Sequence, residues 1–362
     1  MKLFGRDYKR TDIEKYTGNI YQIAGTRHYE LVEGRGKGTR AIDINTGSGF
    51  NFTVLPDRAL DISLASYKGI NLVYLTPNGE VNPAYYNSRG FEWLHSFFAG
   101  LLTTCGLTNI SNPCVDGNEE LGLHGRIANT PVEKLSDNSG WSGDEYIIEI
   151  KGEMKEAILF GSKLEMKRKI TAIAGQKRLK INDAVRNYGP CETPFSILYH
   201  INAGFPLLDE GSELIIASRK VEPYEGDEIS AREIDRWHEF TSPQGCFKEQ
   251  NFLHTMISDE DGYGLAAIIN RKLLGGIGLY IKFKTDALPY LSEWKMLGDI
   301  DYVAAIEPCN VPCQNRVELR RQNRIQFIKP GETKEIEVEI GVLDGCEEIN
   351  SFKNKIDTLK KA

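Results

Sequence analysis

Leu179-Lys180-Ile181-Asn182-Asp183-Ala184-Val185-Arg186 alternates apolar and polar residues, with Leu179, Ile181 and Val185 in one phase and only Asp183-Ala184 out of step. That is the period-two pattern of a strand with one face in a core and the other toward solvent. The runs around it read the same way. Glu145–Gly152 and Ser162–Ala172 precede it, and Lys177–Asn187, which contains it, is followed by Thr193–Asn202. Lys163-Leu164-Glu165-Met166-Lys167-Arg168-Lys169-Ile170 alternates only in part. Further upstream, Ala41–Asn45, Asn51–Leu55, Asp61–Ser66 and Asn71–Leu75 are short apolar runs separated by Gly, Pro, Asn and Asp, at hairpin spacing. Downstream, Leu214–Ala217, Gly264–Asn270, Gly278–Phe283 and Tyr302–Ile306 continue the series. Ile325–Ile328 and Glu335–Leu343 predict a closing hairpin across Lys329-Pro330-Gly331-Glu332.

Helical signal is sparse. Phe91, Leu94, Phe97, Phe98 and Leu101 recur at three- and four-residue steps and predict a helix over Gly90–Leu102. Glu347–Lys361 reads as a charged, solvent-facing helix or tail. No fixed repeat or Pro/Ser-rich linker divides the chain. The expected fold is therefore all-β: one large antiparallel domain over residues 26–345, with an N-terminal extension (1–25), a charged tail (346–362) and a few short helices.

Composition narrows the function. The chain has 362 residues, 41% hydrophobic and 26% charged, which is ordinary globular material. A formal net charge of -7 argues against non-specific nucleic-acid binding, which needs dense Lys and Arg. The N-terminal MKLFGRDYKRTDIEKY has no apolar segment after its basic residues, and no run approaches membrane-span length. A soluble cytoplasmic protein with no membrane partner is expected. Seven cysteines, an odd number spread over a long chain, do not form a disulfide framework. Cys309 and Cys313 lie four apart, but no second Cys/His pair completes a zinc set, so no metal is expected.

Tyr302-Val303-Ala304-Ala305-Ile306-Glu307-Pro308-Cys309-Asn310 delivers one carboxylate at the end of an apolar run. A carboxylate removed from water needs a partner or a function. Among six histidines, two stand in unusual settings. His124 lies in Gly122-Leu123-His124-Gly125-Arg126, where glycines allow a sharp turn or a close ligand approach. His200 lies in Ile197-Leu198-Tyr199-His200-Ile201-Asn202, where alternation puts His200 and Asn202 on one face. Each histidine alone is more simply a ring satisfied by backbone. Likewise Arg58 alone reads as a salt bridge and Trp294 as core. Together these residues make a kit of carboxylate base, imidazole donors, arginine and aromatic faces, suited to binding and acid–base chemistry on a sugar ring.

At this point the sequence resembles the aldose 1-epimerase (galactose mutarotase-like) superfamily, and more closely its DUF4432-type branch. The matching pieces span Arg40 to Leu343: Pro56-Asp57-Arg58-Ala59-Leu60-Asp61-Ile62, Gly100-Leu101-Leu102-Thr103-Thr104-Cys105-Gly106-Leu107, Leu123-His124-Gly125-Arg126, Tyr199-His200-Ile201-Asn202-Ala203-Gly204, Glu293-Trp294-Lys295 and Ile306-Glu307-Pro308. The resemblance implies a β-supersandwich with a sugar groove across one sheet. It also implies that Glu307 is the general base at the anomeric hydroxyl and His200 the acid at the ring oxygen. His124, the other candidate for the acid, and Arg58 would hold substrate, with Asn202, Arg126, Trp294 and Lys295 nearby.

Ring opening needs one proton taken and one given, so no cofactor is required. The roles implied require an ionised Glu307 and a protonated His200 at neutral pH. Arg126, Arg89 or Lys295 would meet the charge of an acidic or phosphorylated sugar. Two other functions compete: a non-catalytic sugar-binding protein on the same fold, and a glycoside-cleaving enzyme pairing Glu307 with Asp61. A free sheet edge could also pair two copies into a homodimer.

Overall fold

The computed structural model describes residues 1–361. Its largest sheet has nine strands. In spatial order the main path is Glu133–Asp137, Glu145–Ala157, Lys163–Ile173, Arg178–Asn187, Thr333–Asp344, Ile277–Lys284, Tyr263–Asn270 and Glu213–Ile216, all pairings antiparallel. Along Arg178–Asn187 the inward positions Leu179, Ile181 and Val185 are at most 1% exposed, as the alternation requires. A seven-stranded sheet, called here the site sheet, runs Ser218–Pro223, Gln250–Met256, Tyr290–Leu297, Tyr302–Cys309, Thr193–Gly204 and Gln326–Ile328, with Thr103–Leu107 also paired to Thr193–Gly204. A five-stranded sheet from Gly25–Glu30 to Ile70–Asn71 completes the layers, and one continuous apolar core draws side chains from all three.

Strand Thr193–Gly204 is buried on both sides. Ile197, Tyr199, Ile201 and Ala203 enter that core, while Leu198, His200 and Asn202 point the other way. The site sheet therefore has one face in the core and a second face free to build a cavity.

Two expectations are corrected. Gly90–Leu102 is not a helix; only Glu92–His95 forms a 3-10 turn. Gly90, Ala99 and Gly100 all take positive φ, which breaks the helical path. Carbonyls that a helix would have used are instead bound from outside: Arg58 donates to Ser96 O (3.0 Å), Asn78 to Leu94 O (2.8 Å) and Thr76 to Phe97 O (2.6 Å). The three- and four-residue apolar spacing serves different neighbours: Phe97 lines the cavity, Phe98 packs on Ala41 and Leu55, and Phe91 stays exposed. The predicted closing hairpin is also absent. Gln326–Ile328 pairs with Thr193–Phe195 in the site sheet, whereas Thr333–Asp344 inserts between Arg178–Asn187 and Ile277–Lys284 in the large sheet.

The C-terminal segment is a helix, Cys346–Lys361, lying on the outside of the large sheet through Ile349, Phe352 and Ile356. Among the described residues no helix is long and apolar enough to cross a membrane.

Candidate active site

The site sheet's outer face carries the chemistry because register aligns it. Ser292 lies opposite Glu307, and Trp294 opposite Ala305, so Ser292, Trp294, Met296 and Glu307 share a face. Asn202 is also opposite Ala305 on the other side, which brings His200 and Asn202 to the same face. Of these, His200, Trp294, Met296 and Glu307 floor a cavity of about 790 Å3.

His200 Nε2 and Glu307 Oε1 are 3.1 Å apart, with side chains 6% and 3% exposed. Their approach is close but not aligned as a hydrogen bond, and among the described residues Glu307 Oε1 and His200 Nδ1 have no hydrogen-bond partner. A buried carboxylate oxygen facing a cavity without a donor is costly unless a ligand hydroxyl supplies one. Three rings box His200: Phe97 at 5.2 Å, Trp294 at 5.5 Å and His124 at 5.8 Å between centroids.

His124 sits at φ +55 in a turn that Gly125 makes possible. A Cβ at Gly125 would collide with the Gly106 carbonyl, and its φ of +73 is one that glycine adopts without strain. The His124 amide donates to Ser111 O (2.9 Å), and the Ser111 amide donates to His124 Nδ1 (3.3 Å). With Nδ1 accepting, the neutral ring must carry its proton on Nε2. Burial holds the His124 pKa down at about 4, so this tautomer is a fixed, uncharged donor at neutral pH.

The proton order required for an ionised Glu307 and a protonated His200 is reversed in the structure. Burial raises the Glu307 carboxyl to about 8, opposed by its Ser292 neighbour. Burial, then the facing His124, push His200 well below the usual imidazole range, with Asn202 acting the other way. The couple therefore holds one proton, on Glu307.

Four of the expected substrate-binding residues do not line the cavity. Arg58 is fully buried and donates to the carbonyls of Ala128 (2.6 Å), Val81 (2.8 Å) and Ser96 (3.0 Å), with Phe98 against its guanidinium. It knits three loops together behind the wall. Asn202 donates to Gly100 O (3.0 Å) and His200 O (2.9 Å), which places it behind His200 as a positioning residue. Lys295 alternates to the far face, where its ammonium meets the carbonyls of Arg236, Trp237 and Glu239 at 2.9–3.3 Å. Arg126 stands nearer Tyr86 and Glu156. Arg89 is exposed and also lies off the cavity. Trp294 does line it, with its indole N–H donating to Glu249 (2.9 Å). Asp61 is bound by Thr104 and Arg168 within the core, so it cannot pair with Glu307 across a glycosidic bond.

The cavity also uses residues that sequence reading missed. Trp93 stacks on Phe97 (4.5 Å) and leans on His124 (4.8 Å); it lay unnoticed within the supposed helix. Tyr74 donates to Asp301 (2.9 Å) at the rim. Asp301 directly precedes the strand that delivers Glu307, the one sequence hint to its position. Cys313 reaches the wall as well, but burial lifts its thiol to about 12, which leaves it un-ionised. Among the described residues no group of three or more His, Cys, Asp or Glu side chains could hold a metal ion.

Stacked antiparallel sheets with a polar, aromatic-lined cavity on one sheet define the class: a β-sandwich of the galactose mutarotase-like fold. Residues 36–342 match the family described as "Domain of unknown function (DUF4432)", and the chain belongs to that family. Among solved structures, a candidate aldose 1-epimerase from Klebsiella pneumoniae superposes with a TM-score of 0.88 at 24% identity, covering 94% of this chain and 91% of that one. A galactose mutarotase-like protein from Clostridium acetobutylicum matches with a TM-score of 0.60 at 16% identity, over 89% and 99% of the two chains. A galactose 1-epimerase from Lactobacillus acidophilus gives 0.55 at 12% identity, over 89% and 99%. No curated protein matches the sequence significantly.

Proposed function

We propose that the protein interconverts the α and β anomers of a neutral free sugar by acid–base ring opening at the Glu307–His200 couple. The observation that carries this reading is the buried 3.1 Å approach of the two groups at the floor of the cavity, beside the fixed N–H of His124. The two oxygens that exchange protons in mutarotation are bonded to one carbon, so a donor and an acceptor side by side can serve both.

One proton on the couple is sufficient. Moving it from Glu307 to His200 converts acid and imidazole into carboxylate and imidazolium without changing the count, and the pair titrates as a unit. The acceptor takes the anomeric hydroxyl proton as its O–H pair becomes the aldehyde double bond. The bond from C1 to the ring oxygen breaks, and the donor's proton ends on that oxygen. Rotation about C1–C2 and reclosure on the other face give the second anomer. His124 Nε2–H supports the charge growing on the ring oxygen.

Lining charge favours a neutral sugar over an acidic one. Glu225, Asp227, Glu249 and Asp301 line the cavity, against Lys248 alone among the described lining cations. An anionic sugar would enter against this field. Exchange spectroscopy by NMR is expected to show accelerated anomer exchange for one or more neutral aldoses, and none for glucuronate or glucose 6-phosphate. Binding of neutral aldoses with no acceleration would instead identify a sugar-binding protein.

The couple sets the pH dependence. Exchange should hold steady through neutrality and fall above about pH 8, as Glu307 loses the shared proton. Polarimetry across that range tests this. A rate that keeps climbing above about pH 8 would show that the unprotonated couple is the active form.

A further inference from the structure

The cavity is larger than the chemistry at its floor demands. At about 790 Å3 it falls in the upper part of the range that encloses drug-sized molecules, roughly 300–1,000 Å3, whereas one pyranose has only about a dozen heavy atoms. Its two ends differ in character. The floor holds Glu307, His200, His124 and Trp294. At the mouth, Phe91 and Leu94 are 58% and 49% exposed, held out by the 3-10 turn of Glu92–His95.

The turn is held in place by design of its surroundings. Asn78 fixes the Leu94 carbonyl and Arg58 the Ser96 carbonyl, while Trp93 between the two exposed side chains is buried at 2%. The same cavity is also lined by polar side chains on other loops, Asn112 and Lys248 among them, with Phe247 next to the lysine in sequence. Exposed apolar side chains at a cavity mouth mark a binding surface, and an apolar plate in a cavity that also carries polar side chains suits a sugar ring, with its C–H faces and hydroxyl rim.

We propose that the cavity is a two-ring site. One ring, the reducing end, lies on the Glu307–His200 couple, and a second neutral pyranose lies against Phe91 and Leu94. The substrate class is then a neutral reducing disaccharide or longer saccharide. The identity of the reaction rests on the anomer-exchange reading above; the second subsite does not.

The test compares maltose, cellobiose and lactose with glucose and galactose, measuring exchange kcat/KM by NMR and binding by saturation transfer. At least one disaccharide is expected to exceed its parent monosaccharide by about tenfold or more, with transfer to protons of both rings. Phe91→Ala should cut the disaccharide-to-monosaccharide ratio to within about threefold of unity, and Phe91→Tyr should restore it. Monosaccharide exchange with no disaccharide advantage would overturn the two-ring site and leave the anomer-exchange reading standing. Disaccharide binding through both rings without any exchange would do the reverse. A ratio unmoved by Phe91→Ala would also overturn the subsite.

Discussion

Glu307→Gln is expected to lower anomer exchange by about 10²–10⁴-fold while leaving sugar affinity within a few-fold of the native protein. The amide keeps the shape and one hydrogen-bonding oxygen, but it can neither give up nor take on the shared proton. Because the side chain is 3% exposed and held between His200 and the Ser292 strand position, the replacement removes the transferable proton without opening space. Exchange spectroscopy at saturating sugar, with affinity measured separately by calorimetry, separates the two effects. Exchange at the native rate would remove Glu307 from the proton transfer.

The same substitution should raise stability at alkaline pH. Glu307 holds its proton more tightly in the folded chain than in the unfolded one, since burial raises it to about 8. Its stabilising contribution is complete below the ordinary carboxylate range and is lost as pH rises through about 8. A glutamine never ionises, so the variant should match the native protein in urea midpoint near pH 5 and exceed it near about pH 9. A group that weakens the fold when it ionises is the stability–function conflict expected at the proposed site of proton transfer.

How far the site was legible depends on what period two can and cannot say. Alternation placed Ile197, Tyr199 and Ile201 on one face of their strand and His200 with Asn202 on the other, and the structure has them so. It said nothing about which face would be a cavity. His254 makes the point: it is also strand-borne and also 3.1 Å from a glutamate, Glu293, yet both are fully buried on the opposite face. One residue of parity separates Glu293 and Lys295, which are buried behind the sheet, from Trp294 and Met296, which line the cavity. Strand Tyr290–Leu297 was not predicted at all, so that parity could not be read. Arg58 failed for a different reason. Its donors meet carbonyls of residues 23, 38 and 70 positions away, contacts that only the closed fold creates. Those contacts also undo the apparent helix at Gly90–Leu102, so a single long-range arginine accounts in part for two misreadings.

The strongest structural dependence lies directly behind the couple. Arg168 uses all five of its N–H groups: two on Asp183 (2.9 and 2.6 Å), and one each on Asp61 (2.9 Å), Ala59 O (3.2 Å) and Thr104 (2.9 Å). Tyr199 donates to Asp183 as well (2.7 Å), and Thr104 donates to Asp61 through both amide and hydroxyl. Every charged member is fully buried, and the network joins the large sheet to the strand that carries His200 one residue beyond Tyr199. Arg168→Met should therefore cost about 3–5 kcal/mol, since it leaves two carboxyls in the core without their cation. Burial already raises Asp61 to about 6 against the pull of Arg168, and losing the arginine must raise it further. The variant's fold then keeps the Asp61 proton to higher pH than the native fold does, so the deficit should widen as pH rises above about 6 and narrow below it. Urea unfolding across that range gives the result. A deficit under about 1 kcal/mol at neutral pH would mean that the network relaxes or admits water, and that the backing of His200 is apolar packing rather than this buried charge cluster.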